Sequence, residues 1–202
     1  MSFDYKITDL LYKIDNLVPK DVCNYFIKIF EDNINEAYTE RSYKFKDKIQ
    51  KEDNFVCVNL SVLAKMDSSF EKPLDLAKKY IAIMISNYVL HIKKMFPTFD
   101  DSLFKTTRNI RILRYQVGEC IEDHSDAGDY IRGSCTLNLN QDYEGGEFRF
   151  FDGKKKISLK TGDSIFFPAD IVWVHGTEPI TKGTRYSINC FLSPYEINIS
   201  NT

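Results

Sequence analysis

Val22, Tyr25, Phe26, Ile29 and Phe30 recur at i, i+3, i+4, i+7 and i+8, the spacing of one face of an α-helix. Pro19 and Asp21, just ahead of them, suit a helix start. A longer helical pattern covers residues 74–95, with Pro73 near its start and Pro97 ending it. Its apolar positions Leu76, Tyr80, Ile83, Met84 and Ile92 predict one buried stripe. Short β-prone runs at 9–18 and 55–60 sit beside these helices.

After Asn109 the rhythm changes to short strands, predicted at 109–117, 134–140, 147–151, 156–159, 164–167, 171–175 and 184–192. Turn signals at Glu144-Gly145-Gly146, Asp152-Gly153, Thr161-Gly162-Asp163 and Lys182-Gly183 separate them. Strands so short and so regularly spaced point to a sandwich, a barrel or a jelly roll. All nine glycines lie between Gly118 and Gly183, where tight turns need them. The chain therefore reads as an α+β protein. Residues 1–105 form a helical and β support and 106–196 a β core, expected to make one domain over 1–202.

Composition narrows the classes. The 202 residues are 43% apolar, 14% aromatic and 28% charged, which argues against disorder. A net charge of −2 gives no bulk reason to bind nucleic acid or an anionic membrane. The apolar run at 80–92 is interrupted by Ser86, Asn87 and His91 and is too short to span a bilayer. The N-terminus carries acidic residues where a signal peptide needs a basic start, so a cytoplasmic location is expected. The five cysteines are widely spaced without a CxxC pair and read as reduced, packed side chains. By the same reading the sequons at Asn59 and Asn198 are accidental. His91 reads as a packed or surface helix residue. Residues 41–51 interleave Arg41, Lys44, Lys46, Lys48 and Lys51 with Tyr43 and Phe45. That run is expected to be a solvated loop, its functional alternative an arm over a site or a grip on an acidic partner.

No glycine-rich phosphate cradle and no G-x-S-x-G nucleophile motif is present. Chemistry concentrates instead at His124-Ser125-Asp126. In extended backbone the i and i+2 side chains point to the same side and can grip one ion. A second imidazole, His175, would complete two histidines and a carboxylate, the facial triad of non-haem iron(II) oxygenases. Ten residues on, Arg185, Ser187 and Asn189 share one strand face, while Tyr186, Ile188, Cys190 and Leu192 share the other. The apolar face can pack on the helices. The polar face either meets solvent or lines a pocket, where an arginine requires an anion such as a dicarboxylate.

The series Arg114-Tyr115-x-x-Gly118, His124-x-Asp126, Leu139-Asn140, Tyr143-Glu144-Gly145-Gly146-Glu147, Lys160-x-Gly162-Asp163 and His175-Gly176-x-x-Pro179, ending in Gly183-Thr184-Arg185-Tyr186-Ser187, then becomes recognisable. It resembles the prolyl 4-hydroxylase-like branch of the 2-oxoglutarate/Fe(II)-dependent dioxygenases over about residues 110–192. The resemblance implies a double-stranded β-helix (jelly-roll) core with supporting N-terminal helices packed on one sheet. It implies His124, Asp126 and His175 as iron ligands and Arg185 as the anchor for the distal carboxylate of 2-oxoglutarate. Tyr115 would line that pocket, with Thr184 and Ser187 assisting the arginine. Asn138 stands where the family has the tyrosine of Tyr-Leu-Asn; its amide could still hydrogen-bond a carboxylate. Two further departures, Ile121 for an aromatic residue and Phe148 for threonine, bear on pocket shape rather than on the metal.

The implied activity is hydroxylation of an unactivated C–H, with a prolyl residue of a protein or peptide as the target, using Fe(II), 2-oxoglutarate and O2 and releasing succinate and CO2. Ascorbate is the implied reductant. The retained carboxylate of Asp126 points to hydroxylation rather than halogenation. Trp173, Val174 and residues 166–168 are candidate pocket walls, with ordinary core packing as the alternative. Two competing readings remain. One is a nucleic-acid dealkylase of the same superfamily, against which Phe191 stands where that group carries a second arginine. The other is a metal-binding jelly-roll module without turnover.

Overall fold

The structure is a computed structural model, and it describes residues 4–39, 55–128 and 130–195. The basic run at 41–51 and the sequon at Asn198 lie outside the described residues.

A 3-10 turn at Ile7–Leu10 leads into β1 (Tyr12–Ile14) and then α1 (Lys20–Asp32). Pro19 occupies the N-cap of α1, and Asn33 closes its end by donating from its side chain to the Ile29 carbonyl. Cys23, Phe26, Ile29 and Phe30 form its buried face, while Tyr25 is turned outward. β2 (Tyr38–Thr39) and β3 (Val56–Asn59) follow, then α2 (Leu60–Met66) and α3 (Glu71–Met95). Asn59 is buried and caps α2 by accepting from the Val62 N–H, which fits the reading of its sequon as accidental. Pro73 sits in the first turn of α3, where N–H groups lack helical partners anyway. The buried stripe of α3 is Ala77, Tyr80, Ile81, Met84, Tyr88 and Ile92. Ile83, expected in it, is 38% exposed because it lies about 100° around the helix from Met84. His91 is packed as expected: its ring stacks on Tyr12 and its Nε2 lies 2.7 Å from the Asp9 carbonyl.

Among the described residues the glycine-containing half supplies nine strands. These are β4 (Thr106–Tyr115), β5 (Gly133–Asn138), β6 (Tyr143–Gly145), β7 (Phe148–Phe150) and β8 (Lys155–Ile157), then β9 (Ser164–Pro168), β10 (His175–Thr177), β11 (Ile180–Gly183) and β12 (Arg185–Ser193). Two of them, β6 and β11, fall on segments that sequence alone marks as turns. They pair with each other as a two-stranded ribbon. The strand expected at 171–175 begins only at His175. Asp170 closes a turn ahead of it, accepting the Val172 N–H on its carboxylate and the Trp173 N–H on its carbonyl.

One antiparallel sheet runs in the order β1-β9-β5-β12-β4-β3-β2, and a smaller one in the order β10-β7-β8. This is the jelly-roll arrangement of an α+β chain. The outer face of the large sheet presents Ile110, Ile112, Cys135, Leu137, Phe166, Ile188, Cys190 and Leu192 to α1 and α3 in one apolar cluster. Each fully buried side chain of that size contributes about 1.5–3 kcal/mol. The inner face packs Ile165 and Phe167 against Phe148, Phe150 and Trp173, and Leu113 and Tyr115 against Phe55 and Ile180. All five cysteines are buried and none is in a disulfide. Asp163 ties the support to the core: its buried carboxylate accepts from the Asn16 and Lys160 N–H groups and pairs with Lys13 at 2.7 Å.

Candidate metal centre

His124 and His175 are joined by an isolated antiparallel bridge, each N–H donating to the other's carbonyl at 2.9 Å. Past His124 the chain is in neither helix nor strand; Asp126 lies on the side of His124, its Oδ1 3.1 Å from Nε2, while Ser125 donates to the Asp170 carbonyl. His124, Asp126 and His175 thereby bring one nitrogen or oxygen each to within 4.8 Å of one another. His124 Nε2 lies 3.1 Å from Asp126 Oδ1, and His175 Nε2 lies 3.5 Å from Oδ2.

The outward nitrogens decide what this cluster can hold. His124 Nδ1 lies 2.8 Å from the Glu122 carbonyl and His175 Nδ1 lies 3.0 Å from the Trp173 carbonyl. A carbonyl only accepts, so Nδ1 carries the proton in both rings. Both Nε2 lone pairs then point at a carboxylate, an arrangement that calls for a cation between them. Two neutral imidazoles and one carboxylate on one side of the ion match the donor set of iron(II) oxygenases. Ser134 of β5 donates to Asp126 Oδ2. Burial pushes the Asp126 carboxyl up, but its contacts with His124 and His175 and the hydrogen bond from Ser134 outweigh it and hold it down to about 2. At His124 burial pulls the imidazole down, and the Asp126 carboxylate more than offsets it, so the net movement is upward. At His175 burial dominates and the direction is downward. Phe167 and Phe150 wall the His175 ring, with centroids 4.5 and 5.8 Å away.

A second group of sequence-predicted residues meets on the inner face of the large sheet. Arg185 opens β12 directly across from Tyr115 on β4. Its guanidinium carbon stands 5.1 Å from the Tyr115 ring and 5.2 Å from the Phe148 ring. Its Nε donates to Asn138 Oδ1 at 3.2 Å. Its Nη1 is buried and lacks a hydrogen-bond partner among the described residues. The side chain is 1% exposed and has no carboxylate beside it there. Ser187 is buried, with Leu113 on one neighbouring strand and Asn138 on the other. Thr184 contributes its carbonyl, which accepts from Asn140.

Of the candidate walls, Phe167 faces the metal cluster, whereas Phe166 turns to the helices. Trp173 is a core residue, stacked with Phe167 and tilted against Phe151. Sequence reasoning passed over Ser134 and the hydroxyl of Tyr143. A signal for the first was available: Ser134, Thr136 and Asn138 alternate with Cys135 and Leu137, a polar row on a fully buried strand.

Comparison with known proteins agrees with this geometry. Residues 110–193 match the family model of the 2OG-Fe(II) oxygenase superfamily. A PKHD-type hydroxylase from Methylobacterium nodulans is 39% identical over 88 residues, covering 37% of this chain and 38% of that protein. The chain thus spans well under half the length of that relative. Among solved structures, a Trichoplax adhaerens prolyl hydroxylase in complex with a hypoxia inducible factor oxygen degradation domain peptide superposes with a TM-score of 0.68 at 12% identity. It covers 93% of this chain and 84% of its own. A Pseudomonas putida prolyl-4-hydroxylase gives 0.64 at 17% identity, over 94% and 97% of the two chains. A viral collagen prolyl hydroxylase from Paramecium Bursaria Chlorella virus-1, in its 2OG complex, gives 0.56 at 18%, again over 94% and 97%. At these identities the structural likeness establishes the fold. Among the described residues no helix is long and apolar enough to cross a membrane.

Proposed function

We propose that this chain, a member of the 2OG-Fe(II) oxygenase superfamily through residues 110–193, hydroxylates a prolyl residue of a protein or peptide. In this reading Fe(II) is the bound cofactor, 2-oxoglutarate and O2 are consumed with release of succinate and CO2, and ascorbate keeps the metal reduced. Residues 1–105 and 106–196 act as one catalytic domain.

The observation that carries the reading is the pairing of two incomplete sites. The triad brings together three donors that would hold a cation, a number that leaves further coordination positions to other ligands. Arg185 offers a buried positive charge whose Nη1 has no partner among the described residues, and a buried unpaired charge is costly unless an anion joins it. A 2-oxo dicarboxylate meets both demands with one molecule. When bound, the iron supplies the electrons that O2 needs to react with a C–H bond.

The chain's own residues do the rest. His124, Asp126 and His175 bind the metal, their orientation set by the Glu122 and Trp173 carbonyls and by Ser134. Arg185 binds the distal carboxylate, flanked by the rings of Tyr115 and Phe148, which also keep water away from it. Ser187 lies next to Arg185 on the same face of β12, in position to assist. The prolyl target is supported by the solved neighbours described as prolyl hydroxylases, one of them holding a peptide. Mass spectrometry of proline-containing peptides after incubation with the Fe(II)-loaded protein, 2-oxoglutarate and ascorbate tests it. The reading expects the gain of one oxygen atom on proline. A peptide set and cell extract with no such product, alongside steady succinate release, would move the target elsewhere.

A further inference from the structure

The pocket around Arg185 contains an amide whose hydrogen-bonding capacity is spent inside the protein. Asn138 Nδ2 donates to the carbonyls of Asn140 at 2.6 Å and of Leu159 and Lys160 at 3.2 Å each. Carbonyls only accept, so these contacts fix which end of the amide is nitrogen. The oxygen is thereby aimed the other way, where it accepts from Arg185 Nε at 3.2 Å and from the Tyr143 hydroxyl at 3.3 Å. Tyr143 also lies over Leu159, its hydroxyl 3.4 Å from that carbonyl. Asn138 is fully buried and stands on β5, one strand away from the arginine it holds.

We propose that Asn138 is a positioning residue for Arg185: it orients the guanidinium through Nε, leaves its positive charge unneutralised, and so presents Nη1 to the co-substrate carboxylate. A carboxylate at this place would also hold Nε but would cancel the charge that an incoming anion needs. An amide oxygen holds without cancelling. The Tyr115 and Phe148 rings stand 5.1 and 5.2 Å from the guanidinium carbon, and the hydrogen bond from Nε sets its rotation against them. The close fit on the remaining side comes from Gly146, where a Cβ would lie 3.2 Å from Arg185 Cδ and 2.7 Å from Ile180. The arginine thus arrives with its geometry settled before the ligand binds, which reduces the ordering cost of binding. This inference rests on the assignment of 2-oxoglutarate to the Arg185 pocket.

The test combines anaerobic titration of 2-oxoglutarate into the Fe(II)-loaded protein with NMR of the Arg185 Nε–H. That signal is assigned by its loss in Arg185→Lys. Asn138→Ala is expected to weaken 2-oxoglutarate binding about tenfold, the effect of losing one hydrogen bond to a charged group. Fe(II) affinity should stay within about twofold. The KM for 2-oxoglutarate should rise by more than kcat falls, and the Nε–H signal should move and exchange faster with solvent. In an Arg185→Ala background the same substitution should weaken binding no further, because its effect passes through the arginine. An equal loss in that background would show direct contact between Asn138 and the ligand and overturn the proposal. An unmoved, still protected Nε–H signal in Asn138→Ala would overturn it too. Asn138→Ser provides the same readings should the alanine variant not fold. If the unmodified protein binds no 2-oxoglutarate, the functional reading itself fails, and that result is visible before any variant is made.

Discussion

His124 and His175 hold each other by backbone, each N–H donating to the other's carbonyl at 2.9 Å across a single β-bridge. The spacing of the two imidazoles is therefore set by main chain, and their ring centroids stand 4.5 Å apart. Gly176 lets the strand carrying His175 come this close. A Cβ there would lie 2.6 Å from Asp123 Oδ1 and 2.7 Å from the Ile121 carbonyl. Gly176→Ala should push β10 away from the His124 segment and weaken Fe(II) binding by roughly an order of magnitude, measured by metal titration. Wild-type affinity in that variant would show that the bridge does not set the site.

Ser134 bears on the third ligand. Its hydroxyl donates to Asp126 Oδ2 and leaves Oδ1 toward His124. Ser134→Ala should lower Fe(II) affinity about 10- to 100-fold, the usual consequence of removing a partner that orients a ligand. The fold should hold, since Ser134 is small and its strand pairs through backbone. Calorimetric metal titration and thermal unfolding separate the two effects.

In the proposed reading Arg185 serves the co-substrate rather than the metal. Arg185→Ala removes the buried positive charge and should raise the 2-oxoglutarate Kd by about 10- to 100-fold, the range for hydrogen bonds to a charged group. Fe(II) binding should be spared. An unchanged Kd would place the carboxylate elsewhere in the barrel.

Asp163 gives the fold a pH dependence apart from the metal site. Burial pushes its carboxyl up, but Lys13 and the Lys160 and Asn16 N–H groups outweigh that and hold it below the ordinary aspartate range. A folded-state value below the unfolded one means stability that is present above about pH 4 and is lost as pH falls through the folded value. Asp163→Asn should cost about 2 kcal/mol at pH 7 and progressively less as the pH falls below about 4. Urea unfolding of both proteins across that range checks it; parallel stability curves would remove Asp163 as the cause.

His124, Asp126 and Arg185 stood out in sequence through a short-range rule, whereas the assignment of His175 and the role of each residue came from the family resemblance. Strand alternation predicts a shared side for His124 and Asp126, and for Arg185, Ser187 and Asn189 on β12. The helices were legible as periods, yet Tyr25 and Ile83 fall outside the buried faces that the α1 and α3 backbones create. What escaped was set by contacts distant in sequence. β6 and β11 are strands because they pair with each other, although Gly145 and Gly183 mark them as turns. Ile171 to Val174 is apolar enough for a strand, yet Asp170 folds its start into a turn and leaves Ile171 81% exposed. Asn138 could be seen to replace a tyrosine, but its link to Arg185 depends on a neighbouring strand and on three carbonyls that only the fold brings together.

The central claim is that the triad and Arg185 serve one reaction, and succinate formation tests it most directly. Purified protein supplied with Fe(II), ascorbate and 2-oxoglutarate is predicted to form succinate, slowly without substrate and faster with a proline-containing peptide. Production should stop when Fe(II) is chelated and in His124→Ala. No succinate with any candidate substrate, or undiminished succinate from His124→Ala, would contradict the account.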